Sequence, residues 1–273
     1  MDVFEEIARL RKEGRKAALA TIINVQGSVP SYETSKLLIR DDGSIVGTVG
    51  GGCVEADVWS AAQDVMREEK PRRLHFNLNE SPDADQGLVC GGSLEIFIEP
   101  ILATPTLYLF GGGHVSLSIS KVATLAGFET IIVDDRPGFA NKERFPEALE
   151  THAGPWEEAF AALRLNEFCY AVIATRGHKA DLACLRWAVT TPARFIGMVG
   201  SKRKLIEFAK VLQSEGLSTD QLERVHSPVG LDIGALTPQE IAVSVVAEMI
   251  AVRRNRAPSA PSLAYHPKIH QTI

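Results

Sequence analysis

No run of this 273-residue chain is both apolar enough and long enough to cross a bilayer, so a membrane-spanning role is not expected. Positive charge is in deficit. Lys and Arg number 29 against 34 Asp and Glu, so a nucleic-acid surface would have to be a local patch working against the overall sign, and no nucleic-acid partner is expected. Cysteine is scarce, with four in all, and no two form a C-x-x-C pair, which argues against a structural zinc site. The opening MDVFEEIARLRKEG lacks the apolar stretch of a signal peptide and reads as a charged amphipathic helix, so the protein is expected in the cytoplasm. Internal repeats are missing. Pattern fades only in residues 257–273, where three prolines imply a mobile tail.

What is present suits packed cores: 45% of residues are hydrophobic, and the length exceeds what one core usually serves. Two domains are expected, 1–102 and 103–256. In the first, helical spacing over residues 2–13 is followed by the strand AALATIINV and by SKLLIR and IVGTV, joined by a turn at DDGS. Val54, Val58, Ala61, Ala62 and Val65 recur at helical spacing, and the helix must stop before Pro71. RRLHFNL is another strand. In SLEIFIEP, Leu94, Ile96 and Ile98 alternate with more polar positions, as in a half-buried strand. These elements make a small α+β unit. After the proline-bearing EPILATPT the pattern changes. TLYLF, TIIVDD, YAVIAT and RFIGMVG are short apolar runs, each leading to polar or helical sequence, which predicts a parallel sheet with helices on both faces. The fold class is therefore α/β, a Rossmann-like sheet preceded by a smaller α+β domain. The last helix opens at TPQE, with Thr237 as N-cap, Pro238 at the first position and Glu240 closing a capping box.

Two glycine loops carry the chemistry. LFGGGHVS follows a strand and opens a helix, the context of a dinucleotide fingerprint. Gly111 makes the tight turn, Gly113 admits a phosphate to the helix N-terminus, and Ser116 stands where the third glycine falls. Asp134 and Asp135 end the next strand, where they would bond a ribose hydroxyl or cap a turn. Arg136 lies in that same loop, Arg176 and His178 in TRGHKAD, and Ser201, Lys202 and Arg203 in GSKRK. All these loops sit at the carboxyl ends of parallel strands and line one crevice. His114 and His178 are candidate ligands, acid–base groups or plain hydrogen-bond partners; the KRK run holds phosphate or is a solvated helix face. The second loop, GTVGGGCVE, is again strand, glycines, helix. Gly50, Gly51, Gly52 and Cys53 would present backbone N–H groups and a thiol at the helix mouth, with Glu55 in its first turn. Cys90 and Gly91, in LVCGGS, offer a second thiol beside flexible backbone. Two such thiols point to soft-ligand or sulfur chemistry, or else to small residues packed in tight loops. Cys169 and Cys184 lie in apolar segments and read as core thiols.

The set GSVP (27–30), GTVGGGCVE (47–55), CGG (90–92), GGGHV (111–115), VDDRPGFANKERFP (133–146), TRGHKADL (175–182), FIGMVGSKRK (195–204) and HSPVGLDIGALTPQEIAVSVVAEMI (226–250) resembles the XdhC/CoxI family over nearly the whole chain. Those are accessory proteins of xanthine dehydrogenase and carbon monoxide dehydrogenase maturation. The chain departs from the family in carrying Ser31 where an arginine is usual, Thr34 where a glycine is usual and Leu37 where a methionine is common. The resemblance implies a cofactor chaperone with no catalytic residue of its own. It would bind molybdenum cofactor of the molybdopterin type between its domains and deliver it, for or after sulfuration, to an apo molybdenum hydroxylase. It implies that Cys53 and Cys90 touch the cofactor's metal end, while Gly111, Gly113, His114, Asp134, Asp135, Arg136, Arg176, His178, Ser201, Lys202 and Arg203 serve its pterin, phosphate or nucleotide end. A cysteine desulfurase and a second copy of the chain, as a homodimer, are further expected partners. The competing reading of the same fingerprint is an NAD(P)-dependent oxidoreductase. Against it stand the glycine-flanked cysteines and the lack of an evident substrate acid–base pair.

Overall fold

The alternation seen in the sequence from Gly92 becomes a strand whose inward residues Leu94, Ile96 and Ile98 are all buried. In this computed structural model the described residues are 2–78, 92–256 and 262–264. They fall into two units that divide between Thr104 and Pro105.

The first unit contains α1 (Val3–Lys12), β1 (Ala17–Gly27), β2 (Lys36–Arg40), β3 (Ile45–Gly47), α2 (Gly52–Glu68), β4 (Arg72–Asn77) and β5 (Gly92–Ile101). The strands form an antiparallel sheet in the order β3-β2-β1-β5-β4. On one face Ala18, Ala20, Ile22, Ile39 and Ile96 pack with Val54, Val58, Ala62 and Val65 of α2. The opposite face of β1 and β2 supplies Ala17, Leu19 and Leu38 to a second cluster with Leu10 of α1. Beside that cluster Glu6 is fully buried between two guanidinium groups, Arg9 at 2.6 Å and Arg40 at 2.5 Å. The hydrogen bonds from Arg9, then those from Arg40, hold its carboxyl down to about 2.

The second unit contains β6 (Thr106–Phe110), α3 (His114–Leu125), β7 (Glu129–Asp134), β8 (Glu150–Ala153), α4 (Trp156–Ala162), β9 (Cys169–Ile173), α5 (His178–Ala188), β10 (Phe195–Met198), α6 (Lys202–Ser214), α7 (Thr219–Glu223), β11 (Val225–His226) and α8 (Pro238–Arg253). All pairs in its sheet are parallel, in the order β11-β10-β9-β6-β7-β8. Consecutive residues of each strand face opposite sides, and both sides are apolar. Leu107, Leu109, Ile132 and Val172 meet Ile119 of α3 and Val245 and Met249 of α8. Tyr108, Phe110, Val133 and Ile173 meet Cys184 and Leu185 of α5 and Leu205 and Leu212 of α6. The edge strands β8 and β11 go beyond the apolar runs of the sequence. They are short, ETHA and VH, and an edge strand needs only one covered flank. The capping box at Thr237 and Glu240 forms, with Glu240 Oε2 accepting from the N–H of Thr237 and of Leu236 at 2.8 Å each. Within 257–273 the described residues 262–264 lie against this unit: Leu263 N–H donates to the Gly230 carbonyl at 2.8 Å, and Ser262 Oγ to the buried carboxylate of Glu248.

Candidate functional site

The order of the second sheet determines where a crevice opens. From β6 the chain moves outward through β7 to β8, then returns to the other side of β6 with β9 and continues to β10 and β11. Connections leaving β6 and β9 diverge to opposite faces, so a crevice opens at the carboxyl ends of these two strands.

The loop after β6 is glycine for steric reasons. Gly111 has φ of 101°, and a Cβ there would stand 2.3 Å from the Ala174 carbonyl oxygen; at Gly112 it would stand 2.1 Å from that of Phe139. Neither crowding nor dihedral constrains Gly113, the N-cap of α3, where a Cβ would have nothing within 4 Å. The mouth of α3 is thus open at Gly113, where the first N–H groups of the helix have no acceptor within the helix itself. Ser116, at the third fingerprint position, is fully buried and its Oγ has no partner among the described residues.

Asp134 and Asp135 separate into two roles. Asp134 is buried and tied into the turn: it accepts from Gly112 N–H at 2.7 Å, Arg136 N–H at 3.0 Å, and Arg136 Nε and Nη2 at 2.8 and 2.9 Å. Burial works to raise its pKa, but the Arg136 guanidinium and the two N–H groups outweigh it, and the carboxyl sits below the ordinary range. Arg136 is committed in turn, its guanidinium lying 3.5 Å from the Phe139 ring centre. Asp135 is the accessible one, with its side chain 36% exposed and 3.8 Å from Arg176.

Asp134, Asp135, Thr175, Arg176, Gly177 and His178 line a cavity of about 390 Å³ at the crevice, with Lys179 and Trp156 adding a cation and an aromatic wall. Gly177 is the N-cap of α5, so a second helix mouth opens here. Asp181, which no sequence pattern marks, organises this loop. It is buried, and it accepts from Thr175 N–H at 3.0 Å, from Thr175 Oγ1 at 2.6 Å and from Lys204 Nζ. Thus Lys204, in the first turn of α6, is an internal strut. Ser201 caps that helix by accepting from Lys204 N–H at 3.3 Å, and Arg203 pairs along the helix with Glu207. Ser201, Lys202 and Arg203 do not line the crevice cavity, and neither does His114, which lines a separate groove with Pro238 and Gln239 of α8.

In the first unit, Gly50, Gly51 and Gly52 all have positive φ, at 119°, 77° and 64°. This run turns the chain from β3 into α2 and leaves Cys53 exposed in the first helical turn. Glu55 reaches back to accept from Thr48 Oγ1 at 2.5 Å and Val49 N–H at 3.2 Å, fastening the turn from behind. Thr34 takes a left-handed φ of 71°, the physical reason a glycine suits that position, and Ser31 Oγ donates to Ser35 Oγ at 2.8 Å. Cys90 and Gly91 lie outside the described residues. Cys169 and Cys184 are buried, and burial pushes both thiols up. Among the described residues no group of three or more His, Cys, Asp or Glu is arranged to hold a metal ion, and no helix is long and apolar enough to cross a membrane.

Comparison with known proteins gives concordant results. The family model described as the XdhC Rossmann domain matches residues 107–249, over half the chain, and that of the XdhC and CoxI family matches 10–77. An uncharacterised Escherichia coli K12 protein, YqeB, is 35% identical across 100% of this chain, which spans only 50% of that relative's length. A probable xanthine dehydrogenase subunit of Bacillus subtilis 168 is 24% identical, with 91% of this chain and 96% of that protein covered. The molybdenum cofactor insertion chaperone PaoD of Escherichia coli K12 is also 24% identical, over 88% of this chain and 84% of its own. A solved structure described as a xanthine dehydrogenase from Bacillus halodurans shares the fold, with a TM-score of 0.51 at 24% identity over 94% of this chain and 97% of that one.

Proposed function

The chain belongs to the XdhC/CoxI family, and on that premise we propose that it is an accessory factor of a xanthine dehydrogenase-type molybdenum hydroxylase: a non-catalytic cytoplasmic chaperone that binds molybdenum cofactor and passes it to the apoenzyme. The observation that carries this reading is the cavity walled by Arg176, His178 and Lys179 after β9, together with the open mouth of α3 at Gly113 after the neighbouring strand β6. A helix N-terminus with cations near it accepts a phosphorylated group, and the cofactor ends in phosphate. The residues fit that end. Gly113 and Gly177 leave backbone N–H groups uncovered, Arg176 and Lys179 supply charge, and Trp156 gives a surface for a planar ring. Asp134 and Asp181 hold these loops in place through their hydrogen bonds to Gly112, Arg136, Thr175 and Lys204. Within the first unit taken by itself, the exposed Cys53 after the glycine run is the proposed soft donor toward a metal–dithiolene group. The relatives named for xanthine dehydrogenase and for cofactor insertion support the client class. Delivery for sulfuration, with a cysteine desulfurase as donor, extends the same proposal.

The test is purification from a molybdenum-replete host, with metal analysis and pterin fluorescence of the isolated chain. Wild type should carry molybdenum and pterin together. Gly113→Asp, which puts a carboxylate where the phosphate would sit, should carry neither while melting like wild type. Absence of both from wild type sinks the proposal. A second reading, an NAD(P)-dependent oxidoreductase, is favoured by Asp135, which follows β7 where such folds bond a ribose. Saturable NADH binding weakened by Asp135→Ala, together with turnover, would select it.

A further inference from the structure

The second unit has another cavity, between α3 and residues 144–147. It measures about 570 Å³, within the range of small-molecule sites. Leu117 and Leu125 on one side and Phe145 and Pro146 on the other make apolar walls, while Lys121 and Arg144 supply two cations against one acid, Glu147. The walls are held in place. Lys142 Nζ donates to the Ala148 and Leu149 carbonyls, Arg144 N–H to Asn141 Oδ1 at 2.9 Å, and Asn141 Nδ2 to the Pro137 carbonyl at 2.8 Å. The cavity is therefore preformed and needs no folding of a loop on binding.

Three features of this cavity are left incomplete. Arg144 Nε donates to the Gly112 carbonyl at 2.9 Å, but its Nη2 is buried with no acceptor among the described residues. Thr124 Oγ1, on the same wall, is likewise buried and unpartnered. Buried donors of this kind call for a partner. Leu125 is 90% exposed at the rim, a large apolar side chain that nothing in the unit covers. A guest with an acid group at one end and an apolar body would meet the cationic side chains of Lys121 and Arg144 and cover Leu125.

We propose that this cavity binds a small amphiphilic anion, an aromatic or aliphatic body carrying a single carboxylate or sulfonate. Its acid group pairs with Arg144 and Lys121, and its body lies on Phe145, Pro146 and Leu117 and covers Leu125. The site is independent of the cofactor reading, though Arg144 links it to the glycine turn through Gly112.

The test is fluorescence titration of the full chain with 8-anilinonaphthalene-1-sulfonate. Wild type should give a saturable, single-site enhancement. Lys121→Glu and Leu125→Glu, both at exposed positions, and Arg144→Gln should each weaken it at least fivefold. If Arg144→Gln does not fold, the first two decide. Gly113→Asp should leave the titration unchanged. No enhancement in wild type, a weakening under fivefold in natively melting Lys121→Glu and Leu125→Glu, or loss of binding in Gly113→Asp would each overturn the assignment.

Discussion

Replacing Asp134 with asparagine removes a charge that is 1% exposed and accepts four hydrogen bonds, two on each oxygen. Asparagine offers one oxygen. Turned one way, its NH₂ confronts Gly112 N–H and Arg136 Nη2; turned the other, it confronts Arg136 N–H and Nε. Either way two donors lose their acceptor. Charge-assisted bonds of this kind contribute about 1.5–3 kcal/mol each, and breaking a buried pair costs about 3–5 kcal/mol. The Arg136 side chain is 25% exposed and partly regains water, so the lower end applies, about 3 kcal/mol. For a unit of this size that lowers the melting temperature by about 6–12 °C. The pH dependence has a fixed sign. Because the folded pKa of Asp134 is depressed, its contribution is present above the unfolded value and is lost as pH falls through the folded one, so wild type and Asp134→Asn should converge in acid. Calorimetric melting at neutral pH and in acid checks both statements. A drop under about 2 °C would mean that the carboxylate does not hold the glycine turn and that the division of labour between Asp134 and Asp135 is wrong. Asp135→Asn, at a partly exposed position, should shift melting by less than about 2 °C.

Four further outcomes follow from the geometry. Gly111→Ala, with its Cβ 2.3 Å from a carbonyl oxygen at positive φ, should destabilise the second unit by on the order of 3 kcal/mol in denaturant titration, whereas Gly113→Ala should stay near wild type. Thr34→Gly should stabilise the first unit by about 0.5–1 kcal/mol, since the relief of a β-branched residue at φ of 71° exceeds the added chain entropy. Glu6 stabilises the first unit fully above its unfolded pKa, and this contribution is lost as pH falls through the folded value of about 2; Glu6→Gln should flatten the acid limb of the melting curve. Cys53→Ala should remove one fast-reacting equivalent in a thiol titration with Ellman's reagent, while Cys169 and Cys184 react only in denaturant.

Much of the fold was legible because it rests on local periodicity. The alternation around Ile96 and the runs that became β6, β7, β9 and β10 each bury a face that the pattern already marks. Strands β8 and β11 were not legible because polar edge strands of four and two residues carry no such mark. The glycine turn before α3 was legible for a different reason: only glycine tolerates the approach of the Ala174 and Phe139 carbonyls.

What each polar residue does was not legible. Asp134 and Asp135 are neighbours of one type, and strand alternation turns the first into the fold and leaves the second in the crevice. Lys204 reads as part of a basic run, yet it ends on Asp181, 23 residues earlier in the chain. His114 adjoins the glycine turn in sequence but stands with α8 in space. The sequence by itself determined the elements and the glycine loops, since hydrophobic period and backbone sterics act over a few residues. Only the tertiary structure decided which charges are struts and which face the crevice, because that depends on partners brought together by the order of the strands.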